Sequence, residues 1–373
     1  MQPPDDLALS VDQLCGQLIV GGFASTELSP RFARELAAGR RAGAILFRRN
    51  IRSIDQVARL NRSILAAAPR ALPPLVAVDQ EGGRVARLGP PFVKLPPMGQ
   101  LGRIDDVTLT QRVAEQLGRE LAALGFNLDF APVMDVDSNP DNPVIGDRSF
   151  GREPAAVAAH GVAMVRGLQG HGVLACAKHF PGHGDTALDS HLALPTVAHE
   201  RSRLDEVELP PFRAAAKAGV AAMMSAHVVF DGLDPAVPAT FSPKICTELL
   251  RSTLGFEGVL FSDDMEMGAV AAERSIEDSA VMAVRAGCDV LLICSDQALQ
   301  ARAHAALVER ATSEPAFAER CREAAARSLS LRQGCQARPG SDGAIAGLIG
   351  GRQAGELTRE LAAAGEVLAG KDQ

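Results

Sequence analysis

Tryptophan and tyrosine are both absent from the 373-residue chain, and the 14 phenylalanines are its only large aromatic side chains. Surfaces that grip long polymers by stacking rings on indole or phenol faces are therefore unavailable. A polar ligand must be held mainly by hydrogen bonds in a small pocket, which favours a short soluble molecule. No apolar run reaches the ~18 residues of a membrane span; the nearest, around residues 220–229, is too short and contains His227. The first ten residues, MQPPDDLALS, are acidic and proline-rich and have no basic segment followed by an apolar core. They do not read as a signal peptide, and a cytoplasmic location is expected. No CxxC pair occurs among the seven cysteines. Cys176, Cys288 and Cys294 stand in apolar stretches, so reduced, buried thiols are expected. No block of Lys and Arg is present, and the net charge is −7. The pairs Arg40-Arg41 and Arg48-Arg49 read as solvated loop charges, and nucleic acid is excluded as a partner.

What the chain does have is a repeat of short apolar runs separated by amphipathic stretches. Strands are expected at 18–22, 44–47, 75–78, 127–131, 173–177, 221–225, 259–261 and 290–294. The clearest helix is 108–124, where Val113, Leu117, Leu121 and Leu124 fall on one face. Ser242 before Pro243 reads as a helix cap followed by proline in the first turn. Eight strand–helix units with buried strands predict an α/β fold closed as a single (β/α)₈ barrel. An open doubly wound sheet would want a GxGxxG turn after an early strand, and none is found. The catalytic barrel is expected over 1–333, and 334–373 reads as a helical C-terminal appendage.

In such a barrel, function gathers at the C-terminal ends of the strands. Polar residues follow five of the eight strand candidates: Asp79 in VDQEGGRVAR, MDV after the fourth, KHFPGHGDTALDSH after the fifth, Ser225-Ala226-His227, and Ser262-Asp263-Asp264. One carboxylate at a strand end is most often a helix cap; five polar ends together predict a site. The segment 178–191 holds Lys178, His179, His183, Asp185, Asp189 and His191, with Pro181, Gly182 and Gly184 loosening the backbone. Asp189 and His191 stand two apart and share a face if extended. A carboxylate there would keep the imidazole protonated near neutrality, as a general acid requires. A metal centre or a purely structural loop are the lesser readings, because HExxH spacing is missing and Lys178 competes with any cation. Neither a metal nor another cofactor is expected. Asp263 emerges from the apolar run 258–262 and is a candidate nucleophile for an oxocarbenium-like carbon. Asp264 is expected to point away and cap the following helix.

At these residues the chain resembles glycoside hydrolase family 3, and within it the bacterial cytoplasmic β-N-acetylglucosaminidases of peptidoglycan recycling. The motifs VDQEGGRVAR, NPVIGDRSFG, KHFPGHGDTALDSH and FSDDM occur in that order, and the resemblance runs from about Asp12 to Ser330. It implies Asp263 as nucleophile, and His191 as acid/base assisted by Asp189 on a mobile loop. It further implies that Asp79, Arg87, Arg148, Lys178 and His179 hold the sugar hydroxyls. The implied reaction is retaining hydrolysis of a terminal β-linked N-acetylglucosamine. The implied substrate is a small soluble muropeptide fragment, N-acetylglucosaminyl-1,6-anhydro-N-acetylmuramic acid with or without its peptide. A monomer with no membrane partner is expected. Phosphorolysis, or another β-glycosidase activity of the same family, stays open as an alternative. An idle sugar-binding module is disfavoured because Asp263 and His191 are both present.

Overall fold

A computed structural model of the chain describes residues 9–187, 194–335 and 339–371. Eight parallel strands close into a barrel in simple sequential order. They are β1 (Ile19–Gly21), β2 (Gly43–Leu46), β3 (Leu75–Val78), β4 (Leu128–Asp129), β5 (Leu174–Phe180), β6 (Ala222–Ser225), β7 (Val259–Asp264) and β8 (Val290–Ile293). All eight expected strands are present. β4 is shorter than its apolar run, while β5 and β7 continue beyond theirs into the polar rim.

Side chains alternate along each strand, which sorts the core into two layers. Inward residues such as Ile45, Leu75, Ala77, Leu128, Cys176, Val259 and Leu292 fill the lumen. Phe130 and Phe261 meet there edge to face, with ring centroids 5.3 Å apart. Outward residues, including Leu46, Val76, Val78, Leu260 and Leu291, pack against the surrounding helices. The lumen is therefore a packed plug that closes the site from below.

The expected helix is Val107–Leu124, capped by Asp106 and stopped by Gly125 at φ 87°, a left-handed position suited to glycine. Ser242 accepts the Ile245 N–H at 3.2 Å at the start of helix Lys244–Thr253. Six of the seven cysteines are buried and Cys335 is half-buried, so Cys176, Cys288 and Cys294 lie in the core as expected. Arg41 does not follow expectation. It is 3% exposed, and it donates to Gln300 Oε1 at 3.3 Å and to the Arg40 carbonyl, so it is a buried strut and not a solvated charge. Arg49 is also tied down, stacking on Phe47 at 4.4 Å and donating to the Phe23 and Cys294 carbonyls.

Beyond the barrel, helices Asp342–Leu348 and Arg352–Lys371 lie against the barrel's outer helices. Ile345, Ile349, Leu357 and Leu361 are buried in the same apolar layer as those helices. A small sheet of Thr196–Val197, Val229–Phe230 and Asp234–Pro238 sits beside the rim. Among the described residues, no helix is long and apolar enough to cross a membrane.

Candidate active site

The alternation that fills the lumen also builds the site. Continuing each inward row by one step beyond Ile45, Ala77, Cys176, Phe261 and Leu292 reaches Phe47, Asp79, Lys178, Asp263 and Cys294. All five line one pocket of about 200 Å³, together with Glu81, Arg87, Arg148, His179, His183 and Asp264. That is smaller than the ~300–1,000 Å³ of drug-sized sites, and suits a single sugar ring.

One wall is a network of buried ion pairs. Lys178 Nζ lies 2.8 Å from Asp79 Oδ1 and 2.6 Å from Glu81 Oε1. Arg148 grips Glu81 with two parallel bonds of 2.8 and 2.9 Å. Arg87 reaches the other oxygen of Asp79 at 3.4 Å. Burial alone would raise the Glu81 carboxyl, but Arg148 and Lys178 reverse that and hold it far below the usual range. Burial likewise works against the Lys178 ammonium, and Asp79 and Glu81 outweigh it, so Lys178 stays charged. Such a wall offers fixed donors and acceptors, each held by its neighbours before a ligand arrives.

A second cluster centres on Asp135, which is fully buried and follows β4. Its carboxylate accepts from the His179 Nδ1 at 2.7 Å and from the His183 N–H at 2.7 Å. Burial would raise Asp135, but His179 and His183 bring it below its ordinary value. The Asp135 contact fixes the ring of His179 and turns Nε2 toward Arg148, 3.5 Å away. His183 is lowered to about 4 by burial and by His179, and its Nδ1 pairs with Thr186 Oγ1 at 2.8 Å.

Asp263 stands at a break in the β7 ladder. Phe261 pairs with Val290, but the next pair is Asp264 with Leu292, so three steps on β7 face two on β8. This bulge turns the end of the strand and re-aims its side chains. Asp263 Oδ1 accepts the Asp264 N–H at 2.8 Å. Burial would raise Asp263, but His179, that N–H and Lys178 outweigh it and hold the carboxyl below its ordinary value, so the group is a carboxylate at neutral pH. Asp264 departs from its expected role. It lines the same pocket and caps no helix; its Oδ1 takes the N–H of Glu266 at 3.1 Å and of Cys294 at 3.2 Å, joining β7 to the end of β8. Burial raises Asp264 to about 7.

The structure thus gathers Asp79, Arg87, Arg148, Lys178, His179 and Asp263 around one pocket. Asp189 and His191 lie outside the described residues. Two carboxylates that organise the site, Glu81 and Asp135, were missed by sequence reasoning. Glu81 had a usable signal, since it stands two residues beyond Asp79. Asp135 stood in the MDV noted after the fourth strand, and nothing local tied it to His179, 44 residues away.

Comparison with known proteins identifies the family. Residues 10–330 match the glycosyl hydrolase family 3 N-terminal domain. A β-hexosaminidase from Neisseria meningitidis serogroup C is 41% identical over 285 residues, covering 74% of this chain and 78% of that protein. A β-hexosaminidase from Nitrosomonas eutropha is 42% identical over 260 residues, 68% of this chain and 74% of its own. Among solved structures, a family 3 β-N-acetylglucosaminidase from Paenibacillus superposes with a TM-score of 0.90 at 39% identity, covering 96% of this chain and 69% of that one. NagZ from Neisseria gonorrhoeae in complex with N-trifluoroacetyl-D-glucosamine superposes with a TM-score of 0.75 at 32% identity, covering 93% and 97%. The fold and these matches together show that the chain is a member of glycosyl hydrolase family 3.

Proposed function

We propose that this chain is a retaining exo-β-N-acetylglucosaminidase, with Asp263 as nucleophile and His191, assisted by Asp189, as acid/base. The observation that carries the reading is an ionised, half-buried Asp263 in a one-ring pocket walled by Asp79, Arg87, Arg148, Lys178 and His179. A carboxylate there can attack an anomeric carbon while the wall holds the ring hydroxyls. In the first step an Asp263 oxygen bonds to C1, the C1–O bond to the leaving group breaks, and His191 gives that oxygen its proton. In the second, His191 takes a proton from water, the hydroxide bonds to C1, and the Asp263–sugar bond breaks.

A pocket of this size takes one terminal residue, which supports removal from a chain end over internal cleavage. We read the substrate as a small soluble fragment, N-acetylglucosaminyl-1,6-anhydro-N-acetylmuramic acid with or without peptide, handled in the cytoplasm by a monomer. Residues 1–333 are read as the catalytic barrel and 334–373 as a helical appendage. The test is release of aryl alcohols from N-acetylglucosaminides and glucosides, with and without phosphate. Preference for the N-acetylglucosaminide and free N-acetylglucosamine as product are expected; a glucoside preference or a sugar phosphate product would overturn the reading.

A further inference from the structure

His227 belongs to none of the roles above, yet it is fully buried beside the bulge that carries Asp263. The last paired residues of β6 and β7 are Met224 and Phe261. Beyond them, β7 runs on for three residues to Asp264, and the His227 side chain takes over from the ladder. Its Nε2 lies 3.1 Å from the Asp264 carbonyl, and its Nδ1 lies 2.9 Å from Thr240 Oγ1. A carbonyl oxygen only accepts, so Nε2 carries a proton and donates it.

The other nitrogen follows from the protons available. Burial pushes His227 below the ordinary histidine value, which favours the neutral ring. Nδ1 must then accept, and the Thr240 hydroxyl supplies the proton. Thr240 has one proton and two acceptors in reach, Nδ1 at 2.9 Å and the Ala226 carbonyl at 3.1 Å. Only Nδ1 would otherwise be a buried acceptor facing a lone pair. Ser225 Oγ, 2.9 Å from Thr240 Oγ1, completes the relay by donating to it. Phe241 stacks on the imidazole with its ring plane within 19°, fixing the ring's tilt.

We infer that His227, set in one tautomer by Thr240, is a positioning residue for Asp263. It holds the Asp264 carbonyl through Nε2–H, and the Asp264 N–H holds the Asp263 carboxylate. The inference rests on the reading of Asp263 as nucleophile. Asp264 is thus gripped from both sides: its carbonyl by His227, its carboxylate by the N–H groups of Glu266 and Cys294. Ser262 Oγ, which accepts the Leu292 N–H at 3.1 Å, pins the residue before Asp263. The Asp264 carbonyl also accepts the Met267 N–H at 3.0 Å, so removing the His227 contact loosens the bulge on its β6 side without freeing it, and Asp263 shifts with it.

The test compares His227→Leu, which fills similar space without a donor, with His227→Gln, whose Nε2 can reach the same carbonyl. His227→Leu should lose about 10²-fold in kcat/KM, the effect of an ångström-scale misplacement of a reacting group. Its dissociation constant for free N-acetylglucosamine should stay unchanged by calorimetry, and His227→Gln should recover most of the activity. A merely structural role would weaken ligand binding and rate together, and Gln would rescue no better than Leu; either result overturns the inference. If the Leu variant does not fold, Thr240→Val takes its place, with Thr240→Ser as the rescue expected to restore activity and an unaffected Thr240→Val as the contrary result. Nitrogen-15 NMR of the wild-type histidines is independent of turnover: an Nε2–H tautomer at His227 is required, and an Nδ1–H tautomer refutes the inference. Wild-type enzyme that turns over no N-acetylglucosaminide but has the Nε2–H tautomer would refute the proposed function alone.

Discussion

Glu81→Gln replaces one oxygen of a buried carboxylate by an NH₂ group and changes little else. Glu81 receives three donors, Arg148 Nε at 2.8 Å, Arg148 Nη2 at 2.9 Å and Lys178 Nζ at 2.6 Å, and is 2% exposed. Glutamine has one acceptor oxygen, so its NH₂ must face at least one of these donors. Arg148 loses its only ion-pair partner among the described residues, and Lys178 is left with Asp79 alone. Breaking a buried pair by removing one charge costs about 3–5 kcal/mol, mostly because the partner stays buried and uncompensated. The pH dependence follows from the sign of the shift. The folded Glu81 is held below its unfolded value, so its contribution is full above the ordinary carboxylate range of ~4.3 and fades as pH falls below it. Thermal and urea unfolding of wild type and Glu81→Gln at pH 7 should differ by about 3–5 kcal/mol, and the gap should narrow toward pH 3.5. KM should rise, since Arg148 and Lys178 lose their common post. A variant within about 0.5 kcal/mol of wild type at pH 7 would mean that the network is as weak as an exposed salt bridge, refuting its role as the organiser of the pocket wall.

Three further expectations concern Asp264, His191 and the need for a metal. Burial lifts Asp264 to about 7 in the folded state, above its unfolded ~3.9, so wild-type stability falls as pH rises through that window; Asp264→Asn, whose oxygen can still accept both N–H groups, should gain Tm relative to wild type at pH 8 compared with pH 5, and a pH-independent difference would contradict this. His191→Ala should slow poor leaving groups by about 10²–10⁴-fold more than an activated dinitrophenol, as loss of a general acid requires; equal losses would make His191 a binding residue. Exhaustive chelation should leave kcat unchanged, because Lys178 and Arg148 already neutralise Asp79 and Glu81; loss of activity restored by Zn²⁺ would overturn the acid–base reading.

Much of this was legible because one rule, the two-residue alternation of a strand, governs both lumen and rim. Short apolar runs gave away all eight strands, and continuing them inward by one step reaches Asp79, Lys178 and Asp263. Features that depend on contacts distant in sequence were hidden. The β7 bulge has no compositional signature, so Asp264 was expected to leave the pocket and cap a helix, whereas it lines the pocket and ties β7 to β8. Arg41 belongs to a charged pair that looks solvated, and only its contact with Gln300, 259 residues on, explains its burial. Asp135 and His179 meet across 44 residues, and no local pattern joins them. The small sheet beside the rim escaped notice because two of its three strands have only two residues.

The central claim is that Asp263, and not its neighbour Asp264, bonds to the sugar. Both line the pocket, but their surroundings differ: His179, the Asp264 N–H and Lys178 hold the Asp263 carboxyl below its ordinary value against the effect of burial, while burial raises Asp264 to about 7 and its Oδ1 is committed to two backbone N–H groups. The decisive measurement is to incubate the enzyme with a fluorinated, slow-turnover N-acetylglucosaminide analogue, digest it, and locate the adduct by mass spectrometry. The adduct is predicted on Asp263 and should be lost in Asp263→Ala. An adduct on Asp264, or near-normal turnover by a folded Asp263→Ala enzyme, would contradict the claim and point to the substrate's own acetamido oxygen as the nucleophile.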